Sequence, residues 1–142
     1  METMMEVLTP ALAAVGIYAA LNMAILFWIS METGRLRGKH KVSIGDGGVK
    51  HLTRIMRGHA NAVENMPMFF VLMLVAALLG MPAMAAHGLG LVFTVGRGLH
   101  AWHFIQEDAP RWQRGGGFGL SFLAQLVLVV GILGHGLLLM AG

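Results

Sequence analysis

Cysteine is absent from the 142 residues of this chain. Disulfides, thiolate metal centres and cysteine nucleophiles are excluded together, so any thiol chemistry must use a thiol that a substrate brings. Charge is scarce as well: Asp, Glu, Lys and Arg make up 12% of the residues against 56% hydrophobic, with a mean hydropathy of +0.70. That balance excludes the ordinary soluble globular class. The net charge of +3 and a pI near 10.0 do not point to nucleic acid, because the bases are confined to short stretches beside the apolar runs. Anionic lipid or an acidic ligand suits them better.

What the chain does have is four long apolar runs, at 7–29, 52–79, 84–105 and 119–140. Each is long enough for a helix that crosses a hydrocarbon core, which takes ~20 residues. A soluble bundle needs polar outer faces, and the last run has almost none. The reading is therefore all-α, an integral membrane four-helix bundle formed as one domain over 1–142. Twenty Gly and twelve Met fit it, since small residues let membrane helices approach and Met fills irregular gaps. Arg35, Arg37, Lys39, Lys41, Lys50, Arg54 and Arg57 follow the first run, and Arg97, Arg111 and Arg114 border the end of the third. The positive-inside rule makes both basic regions cytoplasmic and puts both termini on the other side. Glu2 and Glu6 stand where a signal peptide carries bases, so the first run is expected to remain as an anchor, and the lack of a targeting segment suggests a bacterial inner membrane.

Along the chain, Asn22 is the one strongly polar residue of the first run and is read as an interhelical hydrogen-bonding group. The stretch 30–50 reads as a basic loop closing in a turn at Gly45, Asp46, Gly47 and Gly48. Pro67 divides the second run into a half with a polar face and a wholly apolar half, and is read as a kink. The short link past Gly80 predicts an antiparallel hairpin of the second and third helices. After Pro110, the Arg- and Gly-rich stretch 111–117 reads as a loop. The fourth helix offers only Ser121, Gln125 and His135 as polar groups.

The informative pattern lies at the start of the second run. Arg54, Arg57, Asn61 and Glu64 are three, four and three residues apart, so a helix aligns them within an arc of roughly 80°. Ionisable groups at a membrane boundary require partners or a wet cavity and so point to a site. Two guanidinium forks and a carboxamide suit carboxylates, and Glu64 can offset the positive charge or receive an ammonium group. A small peptide with two carboxylates and one amine matches that distribution. An internal Arg–Glu network that only orients helices matches it equally well. Arg97, His100 and Phe104 share a face of the third helix by the same spacing. His100 and His103 lie three residues apart but fit no metal-binding pattern, so no metal site is expected. His59 points away from the stripe, toward headgroups or a neighbouring helix.

The run 54–67, with Arg54, Arg57, His59, Asn61, Glu64 and Pro67, resembles the second-helix signature of the MAPEG family, the membrane-associated proteins in eicosanoid and glutathione metabolism. Gly96, Arg97 and His100 are similar to that family's third-helix ending. The resemblance covers nearly the whole chain and implies a homotrimer that binds glutathione at subunit interfaces near the cytoplasmic side. It assigns Arg54, Arg57, Asn61, Glu64, Arg97 and His100 to glutathione, and Arg111 or Arg114 to stabilising its thiolate. The implied activity is a glutathione-dependent transferase or peroxidase acting on a lipophilic small-molecule substrate, a hydrophobic electrophile or lipid hydroperoxide dissolved in membrane lipid. Asn65 and Phe104 stand where several members carry Tyr, and Phe104 cannot donate a hydrogen bond. A non-catalytic lipid-binding scaffold of the same fold is the alternative. A transporter is a weaker one, since four helices with one polar stripe offer little symmetry for alternating access.

Overall fold

The computed structural model describes residues 3–142, apart from the side chains of Met4 and Val7; Glu2 lies outside the described residues. Among these residues four helices make up the fold: α1 Met4–His40, α2 Lys50–Leu78, α3 Ala83–Ile105 and α4 Arg111–Ala141.

A capping box starts α1. Thr3 Oγ1 accepts from the Glu6 amide at 3.3 Å, and Glu6 Oε2 accepts from the Thr3 amide at 2.6 Å. The helix does not stop at residue 29, as its apolar run suggests, but continues to His40. Charge ends the lipid-compatible segment without ending the helix, because Glu, Arg and Lys are good helix formers and Glu32 pairs with Arg35 at 2.8 Å. Lys41 then closes it in the left-handed conformation (φ 55°), its amide donating to the Arg37 and Gly38 carbonyls. Gly45, Gly47 and Gly48 all have positive φ, which makes the tight turn before α2 possible. Asp46 ties that turn to the helix: its carboxylate accepts from the Gly48 amide at 2.9 Å and the Thr53 hydroxyl at 2.8 Å. Pro67 lies inside a single continuous α2.

The fourth helix corrects a second expectation. Residues 111–117 are helical rather than a loop, with Pro110 as the N-cap. Three successive glycines disfavour a helix by propensity, but the packing of α4 on α3 requires a small residue at Gly117. A Cβ on Gly117 would lie 2.6 Å from the His100 backbone nitrogen and 2.8 Å from the Gly96 carbonyl oxygen. Ser121 donates from its hydroxyl to the Gly117 carbonyl at 2.8 Å, so the polar group in this contact is satisfied.

The third helix is central. It packs against the other three, whereas α1 and α4 do not meet among the described residues. Asn22 of α1 donates from Nδ2 to the Thr94 hydroxyl at 2.8 Å and to the Tyr18 carbonyl at 2.9 Å, the interhelical bond expected of it. Alternating helix direction collects the end of α1, the start of α2, the end of α3 and the start of α4 at one end of the bundle. Within the described residues, α1, α2 and α4 are long and apolar enough to cross a membrane. The shorter α3 is not, because His87, Arg97, His100 and His103 dilute its apolar sequence. Outward-facing Ile17, Leu21, Phe27, Phe122, Leu126 and Val130 leave a broad apolar surface on the flanking helices, as a membrane protein requires.

Candidate functional site

Two adjoining grooves open at the basic end of the bundle. The larger, about 700 Å³, runs between α2, α3 and α4 and includes Arg54, Arg57, Asn61, Glu64, His100 and Arg114 in its lining. The second, about 570 Å³, shares Arg54, Asn61, His100 and Arg114 and extends to Arg111, His103 and Asp108. The helical stripe of α2 thus faces one depression in the surface. Lys50 and Thr53, which the sequence reading did not single out, extend it by one further turn toward the loop.

Those side chains are not equivalent. The Arg54 guanidinium is engaged: it donates to the His103 carbonyl at 3.0 Å and the Gln106 carbonyl at 3.3 Å. His51 meets the Ile105 carbonyl at 2.8 Å. The first turn of α2 therefore satisfies the carbonyls that α3 leaves unpaired at its end, a favourable place for a cation. Arg57 and Glu64 are exposed and form no side-chain hydrogen bond or ion pair among the described residues. Among the described residues the one ion pair is Arg35 with Glu32, so the stripe is not an internal Arg–Glu network.

Arg97 sits differently from its sequence-based placement as a ligand contact. It is buried to 1% exposure and lines neither groove. From beneath the groove floor it donates to Asn61 Oδ1 at 3.0 Å and lies 3.3 Å from His100 Nδ1. The Asn61 carbonyl in turn accepts from Asn65 Nδ2 at 2.7 Å, and Gln125 of α4 donates to Asn65 Oδ1 at 3.3 Å. Polar residues of α2, α3 and α4 are joined in this way below the surface.

Phe104 closes one wall. Its ring lies 4.8 Å from that of His100, with the guanidinium of Arg54 at 5.8 Å and that of Arg114 at 6.0 Å from its centroid. Gly58 makes room for it, since a Cβ there would come within 2.5 Å of Phe104 Cβ. Of the two α4 arginines, Arg114 lines both grooves and Arg111 only the second. The extension of α4 back to residue 111 is what fixes Arg114 opposite α2. On the other face of α2, His59 Nε2 lies 3.4 Å from the Ser30 hydroxyl, turned toward a neighbouring helix as its position outside the stripe predicts.

Such a surface can hold an anionic ligand with several acceptor groups: four cationic side chains and a carboxamide converge, with Glu64 as the acid on the larger groove. A model of the MAPEG family matches residues 5–134. The chain is 35% identical over 114 residues to the inner membrane protein YecN of Escherichia coli (strain K12), covering 80% of this chain and 86% of the relative. It is 32% identical over 132 residues to the uncharacterized protein sll1147 of Synechocystis sp., covering 92% and 90%.

Proposed function

Because the chain belongs to the MAPEG family, we propose that it is a glutathione-dependent transferase or peroxidase that acts on hydrophobic electrophiles or lipid hydroperoxides from within the membrane. The observation that carries this reading is that Arg57 and Glu64 are exposed and, among the described residues, unpaired in a groove where Asn61, His100 and Arg114 also converge. Glutathione has two carboxylates, one ammonium and a thiol, and the groove offers guanidinium forks for the first, Glu64 for the second and Arg114 for the third. Arg114 is preferred to Arg111 for the thiolate because it borders both grooves.

The chemistry follows from placement. A guanidinium beside the sulfur favours the thiolate, which attacks a lipid-dissolved electrophile and forms a thioether as the leaving group departs. With a hydroperoxide the thiolate takes the distal oxygen, and a second glutathione completes reduction to alcohol, water and glutathione disulfide. Four helices cross the membrane in this reading, both termini lie outside, and three copies form a homotrimer whose neighbours close the open groove. The bacterial inner membrane is the proposed location, in line with the name of the E. coli relative.

Phe104 favours the rival reading of a non-catalytic lipid-binding scaffold, since the groove wall has no phenolic hydroxyl there. Purified protein in detergent, supplied with glutathione and either an aryl halide or cumene hydroperoxide, separates the two. Turnover that requires glutathione supports the enzyme; bound glutathione with no turnover of either substrate supports the scaffold.

A further inference from the structure

Arg97 is a buried cation without a carboxylate partner among the described residues, and its Nε has no hydrogen-bond acceptor. Its two hydrogen-bonding neighbours among the described residues, Asn61 and His100, both line the grooves. A guanidinium has five N–H donors and no acceptor, which constrains each neighbour in turn. Asn61 must present Oδ1 to Arg97, leaving its Nδ2 without a partner and facing the groove. His100 must present an unprotonated Nδ1, because an N–H there would set two donors against each other at 3.3 Å. The neutral ring then carries its proton on Nε2, which has no partner among the described residues and is not among the sealed unpartnered atoms.

We propose that Arg97 is a positioning residue: from below the floor it fixes Asn61 and His100 as hydrogen-bond donors toward the groove, so that the floor accepts only an acceptor group of the ligand. The inference rests on the glutathione reading for the identity of that ligand, whose carboxylate or thiolate is the matching acceptor. It explains how a groove walled by Phe104 keeps a donor beside the anion: Nε2–H of His100 stands one turn before the ring that lacks a hydroxyl. It also accounts for the missing counter-charge, since a bound anion supplies it.

The direct test needs no variant and no ligand. Nitrogen-15 NMR of the histidine rings in the glutathione-free protein is expected to show His100 protonated at Nε2 and unprotonated at Nδ1; protonation at Nδ1, or an equal mixture of tautomers, overturns the proposal. Asn61→Asp tests the other arm. It keeps an oxygen for Arg97 while removing the donor, so thermal stability is expected to hold while glutathione binding weakens roughly tenfold to a hundredfold, the scale of one hydrogen bond to a charged group. Undiminished binding by Asn61→Asp overturns the proposal. Arg97→Lys keeps the charge but has no planar fork to reach both neighbours, and is expected to lose the single-tautomer signature of His100; retention of that signature assigns it to another cause. Failure of the unsubstituted protein to bind glutathione defeats the ligand assignment, and the NMR result then judges the positioning role by itself.

Discussion

Substituting Ala at Gly117 and, separately, at Gly115 separates a packed helical interface from a loop. Gly115 meets nothing within 4 Å, so an added methyl is free. In a helix that change is stabilising by about 0.8–1 kcal/mol through propensity. At Gly117 the same methyl would stand 2.6 Å from the His100 nitrogen, 2.9 Å from its Cα and 2.8 Å from the Gly96 oxygen. All three are backbone atoms of α3, so no rotamer change can relieve the contact, and the helices must part by roughly 0.5–1 Å. Overpacking of this kind costs about 1–3 kcal/mol, which exceeds the propensity gain. The expected order of thermal stability in detergent is Gly115→Ala at or above the parent and Gly117→Ala below it. Glutathione affinity is expected to fall with Gly117→Ala, because Arg114 and His100 lie on the two helices that separate. A Gly117→Ala protein as stable as Gly115→Ala would refute the close α3–α4 contact.

Arg57→Leu removes an exposed side chain with no partner among the described residues, so stability is expected to stay within about 0.5 kcal/mol while glutathione binding is lost; equilibrium dialysis against labelled glutathione measures the second. Asn22→Val deletes the bonds to Thr94 and Tyr18 at a residue only 1% exposed, and is expected to lower stability by about 1 kcal/mol in thermal unfolding. The Gly48 amide bond, with the Thr53 hydroxyl, holds the Asp46 carboxyl below the usual carboxylate range. Its contribution to the turn is therefore present above that range and lost as pH falls through the lowered value; the Gly48 amide shift in NMR is expected to follow this titration, and a midpoint at or above the usual carboxylate value contradicts it.

Periodicity carried much of this arrangement in advance. The spacing of Arg54, Arg57, Asn61 and Glu64 is a property of one helix, so the sequence alone aligns them, and the groove follows that alignment. Asn22 was equally legible, because a lone amide in an apolar run has few other solutions. What escaped sequence reasoning depends on a second element. Helix 1 continues for eleven residues past its apolar run because charge marks a membrane boundary, not a helix end. Helix 4 starts at Arg111 because backbone contact with α3 outweighs the low helix propensity of Gly115, Gly116 and Gly117. Helical spacing placed Arg97 on the same face as His100 but gave no depth, and Arg97 lies beneath Asn61 and outside the groove. The lack of any acidic residue on α3 was the available sign that the partners of Arg97 would be neutral acceptors.

The most direct measurement is a density map of the assembled protein prepared with glutathione in lipid. The account predicts three copies around an axis, each with a tripeptide in the groove of Arg57, Asn61, His100 and Arg114, its carboxylates on the guanidinium groups and its sulfur beside Arg114. A map in which that groove holds only lipid, or in which the arginines turn inward against their own subunit, contradicts it.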